Sequence, residues 1–123
     1  MGSYNLNNFT LDEFDSPDLP TSGREMDYIF LAKLDKAGEI ANVPFRITSG
    51  YRTIAHNEKV GGVPDSAHTK GRAADIACTS GTNRYIIVNS LLQAGFNRIG
   101  IANTFIHVDD DPSKPPQVIW TYN

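Results

Sequence analysis

At 123 residues with 40% hydrophobic side chains, the chain is long enough for one packed domain and too apolar for a disordered one. Eleven Lys+Arg against fourteen Asp+Glu leave a formal net charge of −3, which argues against a partner as anionic as nucleic acid. A single cysteine, Cys78, excludes an internal disulfide and a cysteine-based zinc knuckle, so any metal site must use histidine and carboxylate; Cys78 itself is expected as a small buried residue.

The chain reads as one domain over 1–123, with 1–21 a polar, turn-prone segment packed on it through Phe9, Leu11 and Phe14. No apolar run is long enough to span a membrane. The start, Met1 to Leu6, has neither a basic region nor an apolar stretch, so no signal peptide is expected. Ser22 and Glu25 fit a capping box, and Met26, Ile29, Phe30, Leu34 and Ala37 recur at helical spacing, predicting a helix from about Gly23 to Ala41. Asn42-Val43-Pro44 stops it. Phe45 to Ser49 alternates like a strand, and Thr53 caps a short helix through Lys59. Gly61 to Gly71 is predicted as loop, and Ala73 to Ala77 as a buried strand with Asp75 among alanines on one face.

Tyr85, Ile86, Val88, Leu91 and Leu92 mark a second main helix, ended by Gly95. Phe96–Ile101 and Thr104–Val108 read as strands joined at Ala102-Asn103, with Phe105, His107 and Asp109 sharing one face. Asp110 to Pro116 reads as a surface loop and Val118 to Thr121 as a last strand. The order of elements predicts an α+β fold, an antiparallel sheet packed with helices.

His68 and Asp75 flank Gly71, and His107 follows Asp75 by 32 residues (107 − 75) on a separate strand. Two imidazoles and a carboxylate are an ordinary zinc set that leaves a fourth position for water. Spacing alone leaves equally open three side chains that are separately solvated or capped.

The stretch Ser66-x-His68-x-x-Gly71-x-Ala73-x-Asp75 resembles the signature of the M15 zinc D-Ala-D-Ala carboxypeptidases and related peptidoglycan peptidases. Ser49-Gly50-Tyr51-Arg52 upstream and Ile106-His107-Val108-Asp109 downstream are similar to the compact phage-type and bacterial members, and the likeness runs over roughly residues 12–122. The resemblance implies a Hedgehog/DD-peptidase-like single domain with one zinc ion on His68, Asp75 and His107. It implies that Arg52 binds a substrate carboxylate or the oxyanion, and that Ser66 hydrogen-bonds substrate. Tyr51 and Phe105 are expected to wall the channel, and Gly71 and Ala73 to let the backbone pass close to the metal. The expected substrate is a peptidoglycan stem peptide, cut by a monomer acting at the bacterial cell wall or periplasm. With no signal peptide in view, synthesis in the cytoplasm and release by another route, as for a phage endolysin, is the expectation.

One departure concerns the general base. Many members of the family carry Glu or Asp three residues before the last zinc histidine, or His two before it; here Thr104 and Phe105 stand there. Asp109 is the substitute expected as catalytic base, with orientation of His107 as the competing role. His56 is expected to face solvent. A non-catalytic zinc module that binds cell-wall peptide or a protein is the alternative function.

Overall fold

Side-chain caps set where the helices of this chain begin, and one of them lies later than the hydrophobic spacing predicts. The computed structural model describes residues 6–122, so residues 1–5 of the N-terminal segment lie outside it. Asp27 accepts a hydrogen bond from the Phe30 N–H at 2.9 Å and starts α1, Tyr28–Ala41. The predicted start at Gly23 is therefore corrected: Ser22–Glu25 is a single 3-10 turn. Its would-be cap is already used, since the Ser22 hydroxyl accepts from the Ser16 N–H at 2.8 Å. Asn42 ends α1 in the left-handed region at φ 54°. In the N-terminal segment Phe9 and Phe14 are buried and meet edge to face at 5.5 Å, which docks residues 9–14 on the core.

The remaining elements follow in order: β1 Ile47–Ser49, α2 Ile54–Lys59, β2 Ala73–Ala77, α3 Gly81–Gln93, β3 Arg98–Ile101, β4 Phe105–Asp109 and β5 Val118–Thr121. Thr53 caps α2 by accepting from the His56 N–H at 3.1 Å. Ser80 caps α3 through the Asn83 N–H. On α3, Ile87, Ser90 and Leu91 are buried, whereas Tyr85 and Leu92 are exposed. The stripe predicted from Tyr85 to Leu92 thus points partly to solvent.

The five strands form one sheet in the order β1-β2-β4-β3-β5. All neighbours are antiparallel except β3 and β5, which run parallel. Ala74, Ile76, Ile99, Ile106 and Val108 share one face, fully buried with Phe30, Leu31, Leu34 and Leu91 in the core cluster. Each large side chain withdrawn from water there contributes about 1.5–3 kcal/mol. The opposite face carries Asp75, His107, Asp109, Arg98, Gly100 and Trp120, brought level by the register Asp75↔His107, Gly100↔His107 and Gly100↔Trp120.

The 110–116 loop is tied down by a buried charge rather than solvated throughout. Asp111 is 2% exposed and accepts from Lys70 Nζ at 2.8 Å, Lys114 Nζ at 3.0 Å and the Ser113 N–H at 3.0 Å. Burial alone would push its pKa up; the hydrogen bonds from Lys70, Ser113 and Lys114 hold it well below the usual carboxylate range. Asp111→Asn is expected to cost about 1–3 kcal/mol at neutral pH. A carboxyl with a depressed folded pKa adds stability above its unfolded value of about 3.9 and loses it as pH falls toward the folded one. The gap between wild type and variant in urea unfolding should therefore narrow from neutral pH to about pH 3. A gap of equal size at both would show that Asp111 does not act as a charge.

Candidate metal centre

Three elements bring the site together. Ser66 caps the 3-10 turn Ala67–Lys70 by accepting from the His68 N–H at 3.2 Å, and this turn presents His68 at the start of β2. β2 supplies Asp75, and β4 supplies His107 directly opposite it. His68, Asp75 and His107 are 3%, 7% and 9% exposed, and one donor atom from each lies within 4.8 Å of the others.

The hydrogen bonds around the two imidazoles decide which nitrogen faces inward. His68 Nδ1 lies 2.7 Å from the Gly50 carbonyl oxygen. A carbonyl can only accept, so Nδ1 carries a proton and Nε2 is the nitrogen turned toward the centre, 3.4 Å from Asp75 Oδ1. His107 Nε2 lies 2.7 Å from Asp109 Oδ2, and its Nδ1 lies 2.9 Å from Asp75 Oδ1. A tetrahedral ion bound at about 2.0–2.1 Å separates its ligands by about 3.3 Å. The spacings of 2.9 and 3.4 Å straddle that value.

Burial alone would raise the pKa of Asp75, but hydrogen bonds with His107 and His68 hold it well below the usual range. Asp109 is likewise lowered, by His107 and Arg98 against the effect of burial. For His107 burial lowers the pKa, while Asp109 and Asp75 raise it by more. The site thus keeps its carboxylates ionised in a buried place, an arrangement that favours a cation. Two inward nitrogens, one ionised oxygen and outer acceptors on both rings fit zinc.

The centre sits in a cleft of about 380 Å³ lined by Arg52, Ser66, Phe105, Trp120, Tyr122 and the Gly61-Gly62-Val63 loop, among others.

A Peptidase M15 family model matches residues 8–109. The chain belongs to the M15 peptidase family. All three metal-site residues and most of the cleft fall inside the matched span of this M15 peptidase, whereas Lys114, Trp120 and Tyr122 lie beyond it. No curated protein matches the chain. Membership makes the protein a metallopeptidase of the zinc type acting on a peptide, with a small α+β fold. Among the described residues, no helix is long and apolar enough to cross a membrane.

The structure places the other sequence-predicted residues unequally. Arg52 is at the cleft: Nε donates to Ser49 Oγ at 3.1 Å, one terminal nitrogen donates to Asn57 Oδ1 at 3.1 Å, and the other lies 3.7 Å from Asp75 Oδ2. Ser66 and Phe105 line the same space. Tyr51, next along the chain from Gly50, packs half-buried against the core cluster and is not among the cleft residues. His56 sits on α2 beside Pro17, Asp18 and Lys59, away from the centre. Asp109 is 2% exposed and engaged on both oxygens, Oδ2 by His107 and Oδ1 by Arg98 at 2.7 Å and the Asp111 N–H at 3.2 Å. Gly71 adopts φ +71°, and a Cβ there would meet the Glu25 carbonyl oxygen at 2.3 Å, so the N-terminal turn passes close at this point.

Sequence reasoning missed Arg98, Trp120, Tyr122 and Lys114. The available signal was Gly100, set between two isoleucines in a strand. A Cβ there would meet Trp120 Nε1 at 2.7 Å and Tyr122 Cε1 at 2.8 Å, so its bare backbone admits both rings to the site face.

Proposed function

We propose that this M15 peptidase hydrolyses stem peptides of bacterial peptidoglycan, as a D-Ala-D-Ala carboxypeptidase or a cross-link endopeptidase, with zinc held by His68, Asp75 and His107. The observation that carries the reading is the convergence of these three buried donors at the base of the cleft, each imidazole turned by an outer acceptor. When bound, zinc supplies Lewis acidity, which acidifies water to about pKa 7 and polarises a carbonyl. The chain's own groups do the rest. Arg52, fixed by Ser49 and Asn57, offers a guanidinium beside the centre to a substrate carboxylate or to the oxygen that becomes negative. Phe105, Trp120 and Tyr122 form a wall with rings 5.3 and 6.4 Å apart along which an extended peptide can lie. Asp109 orients His107, its oxygens engaged by His107, Arg98 and the Asp111 N–H.

The cell wall is the proposed place of action, and a monomer the proposed form. The test is incubation with muropeptides, products followed by mass spectrometry. Loss of a terminal alanine supports the carboxypeptidase, and cleavage between stems the endopeptidase. Bound zinc with neither product would favour a module that binds wall peptide without cutting it, which the absence of a proton acceptor at Thr104 and Phe105 keeps in view.

Metal should also stabilise the fold. Free zinc at a hundred times its Kd adds about 2.7 kcal/mol, which corresponds to a rise of about 10 °C in Tm for a domain of this size. Thermal unfolding with zinc and then with chelator reads this directly. An unchanged Tm in a sample shown to contain no metal would remove the zinc reading.

A further inference from the structure

Beyond Asp75 and His68, His107 is touched by Asp109 and Trp120, and both of these contacts lead to one residue that no part of the quoted signature includes. On the edge of the ring, Nε2 meets Asp109 Oδ2 at 2.7 Å, and the Trp120 ring packs against it, tilted by 50° with centroids 5.6 Å apart. Arg98 holds both. Its Nε donates to Asp109 Oδ1 at 2.7 Å, and its guanidinium lies 5.0 Å over the Trp120 ring. A further nitrogen donates to the Pro115 carbonyl oxygen, which anchors the guanidinium to the loop before β5. The side chains of Arg98, Asp109 and His107 are 11%, 2% and 11% exposed, so water competes little for these bonds.

We propose that Arg98 is the positioning residue of the metal centre: by gripping Asp109 and backing Trp120, it fixes the His107 ring with Nδ1 toward the ion and Nε2 toward Asp109. The inference rests on the metal-holding role proposed above for His107. Register makes it possible. Ile99 pairs with Val108, so Arg98 on β3 and Asp109 on β4 fall side by side on the site face, with Gly100 leaving the gap that Trp120 fills. A guanidinium suits the task better than an ammonium, because its planar fork can bond a carboxylate along one edge and still stack on an indole.

Two readouts test this. The first is zinc affinity by competition with a chelator dye. Arg98→Met is expected to weaken binding about 10–100-fold, the usual effect of losing an outer partner of a metal-bound imidazole. Arg98→Lys, which keeps the charge but not the fork, should fall between. The second readout needs no metal: the Nε2–H resonance of the His107 ring in NMR, which escapes exchange with water only while Asp109 holds it. It should be present in wild type, weakened in Arg98→Lys and lost in Arg98→Met. Lys70→Met is the control. It removes a cation from Asp111 without touching Asp109 or Trp120, so it should lower stability and leave the resonance in place. If Arg98→Met fails to fold, the Arg98→Lys comparison decides. Zinc affinity within twofold of wild type together with a retained resonance in the folded Arg98 variant overturns the proposal. A wild type that binds no zinc but shows the arginine-dependent resonance would overturn the metal reading and leave Arg98 as the residue that orients His107.

Discussion

Asp75→Asn is expected to leave a folded chain that cannot hold its ion. Asp75 Oδ1 is the atom that both imidazoles approach, at 2.9 Å from His107 and 3.4 Å from His68. Asparagine keeps the shape but removes the negative charge, so the centre loses its one anionic ligand while the two rings stay. The loss of zinc affinity should exceed about a hundredfold, the upper end of what an outer-partner mutation costs. Peptide hydrolysis and the thermal stabilisation by zinc should vanish together, while far-UV circular dichroism keeps the wild-type shape. Zinc binding within tenfold of wild type would mean that the ion sits elsewhere.

Gly71→Ala carries the second large effect, and it acts through the backbone. The left-handed conformation at φ +71° costs a residue with a Cβ about 1–2 kcal/mol. The added methyl would also sit 2.3 Å from the Glu25 carbonyl oxygen and 3.0 Å from Met26 Cα, both main-chain atoms that cannot swing away. Overpacking of that kind adds about 1–3 kcal/mol. A fall in Tm of about 10–20 °C follows for a domain of this size. The damage should reach the metal as well. The Asp27 N–H donates to the Gly71 carbonyl at 2.8 Å, so the start of α1 and the turn bearing His68 are stitched at this point. Calorimetry and zinc titration on the same sample measure both; a Tm within about 2 °C of wild type would show that the turn yields freely.

Local pattern made much of this molecule legible. Strand β2 is legible over Ala73–Ala77 from its small and β-branched residues, and β5 is found over Val118–Thr121, where the sequence also places a strand. The His68, Asp75 and His107 set is legible because the signature fixes the spacing of His68 and Asp75 and a second stretch carries His107, and the three converge in space. What escaped depended on partners far along the chain. Ser22 looked like a helix cap, but its hydroxyl is taken by Ser16, and Asp27 caps instead. Tyr85 and Leu92 fit a helical stripe, yet it is Ile87 and Leu91 that pack into the core cluster. Tyr51 neighbours Arg52 in sequence, but the two side chains part, one to the core and one to the cleft. Arg98 and Trp120 act on His107 only through the pairing of β3 with β4 and with β5, which no local window reveals.

The pairing of β2 with β4 therefore carries more than stability. Side chains alternate across a strand, so a slip of β4 by one residue would swing His107 and Asp109 toward the helices and bring Ile106 and Val108 out beside Asp75. The same displacement would strip the apolar layer and dismantle the ion's cage in one stroke. A misaligned chain thus has neither a dry interior nor a working centre, and the hydrophobic face acts as the proofreader of the chemical one.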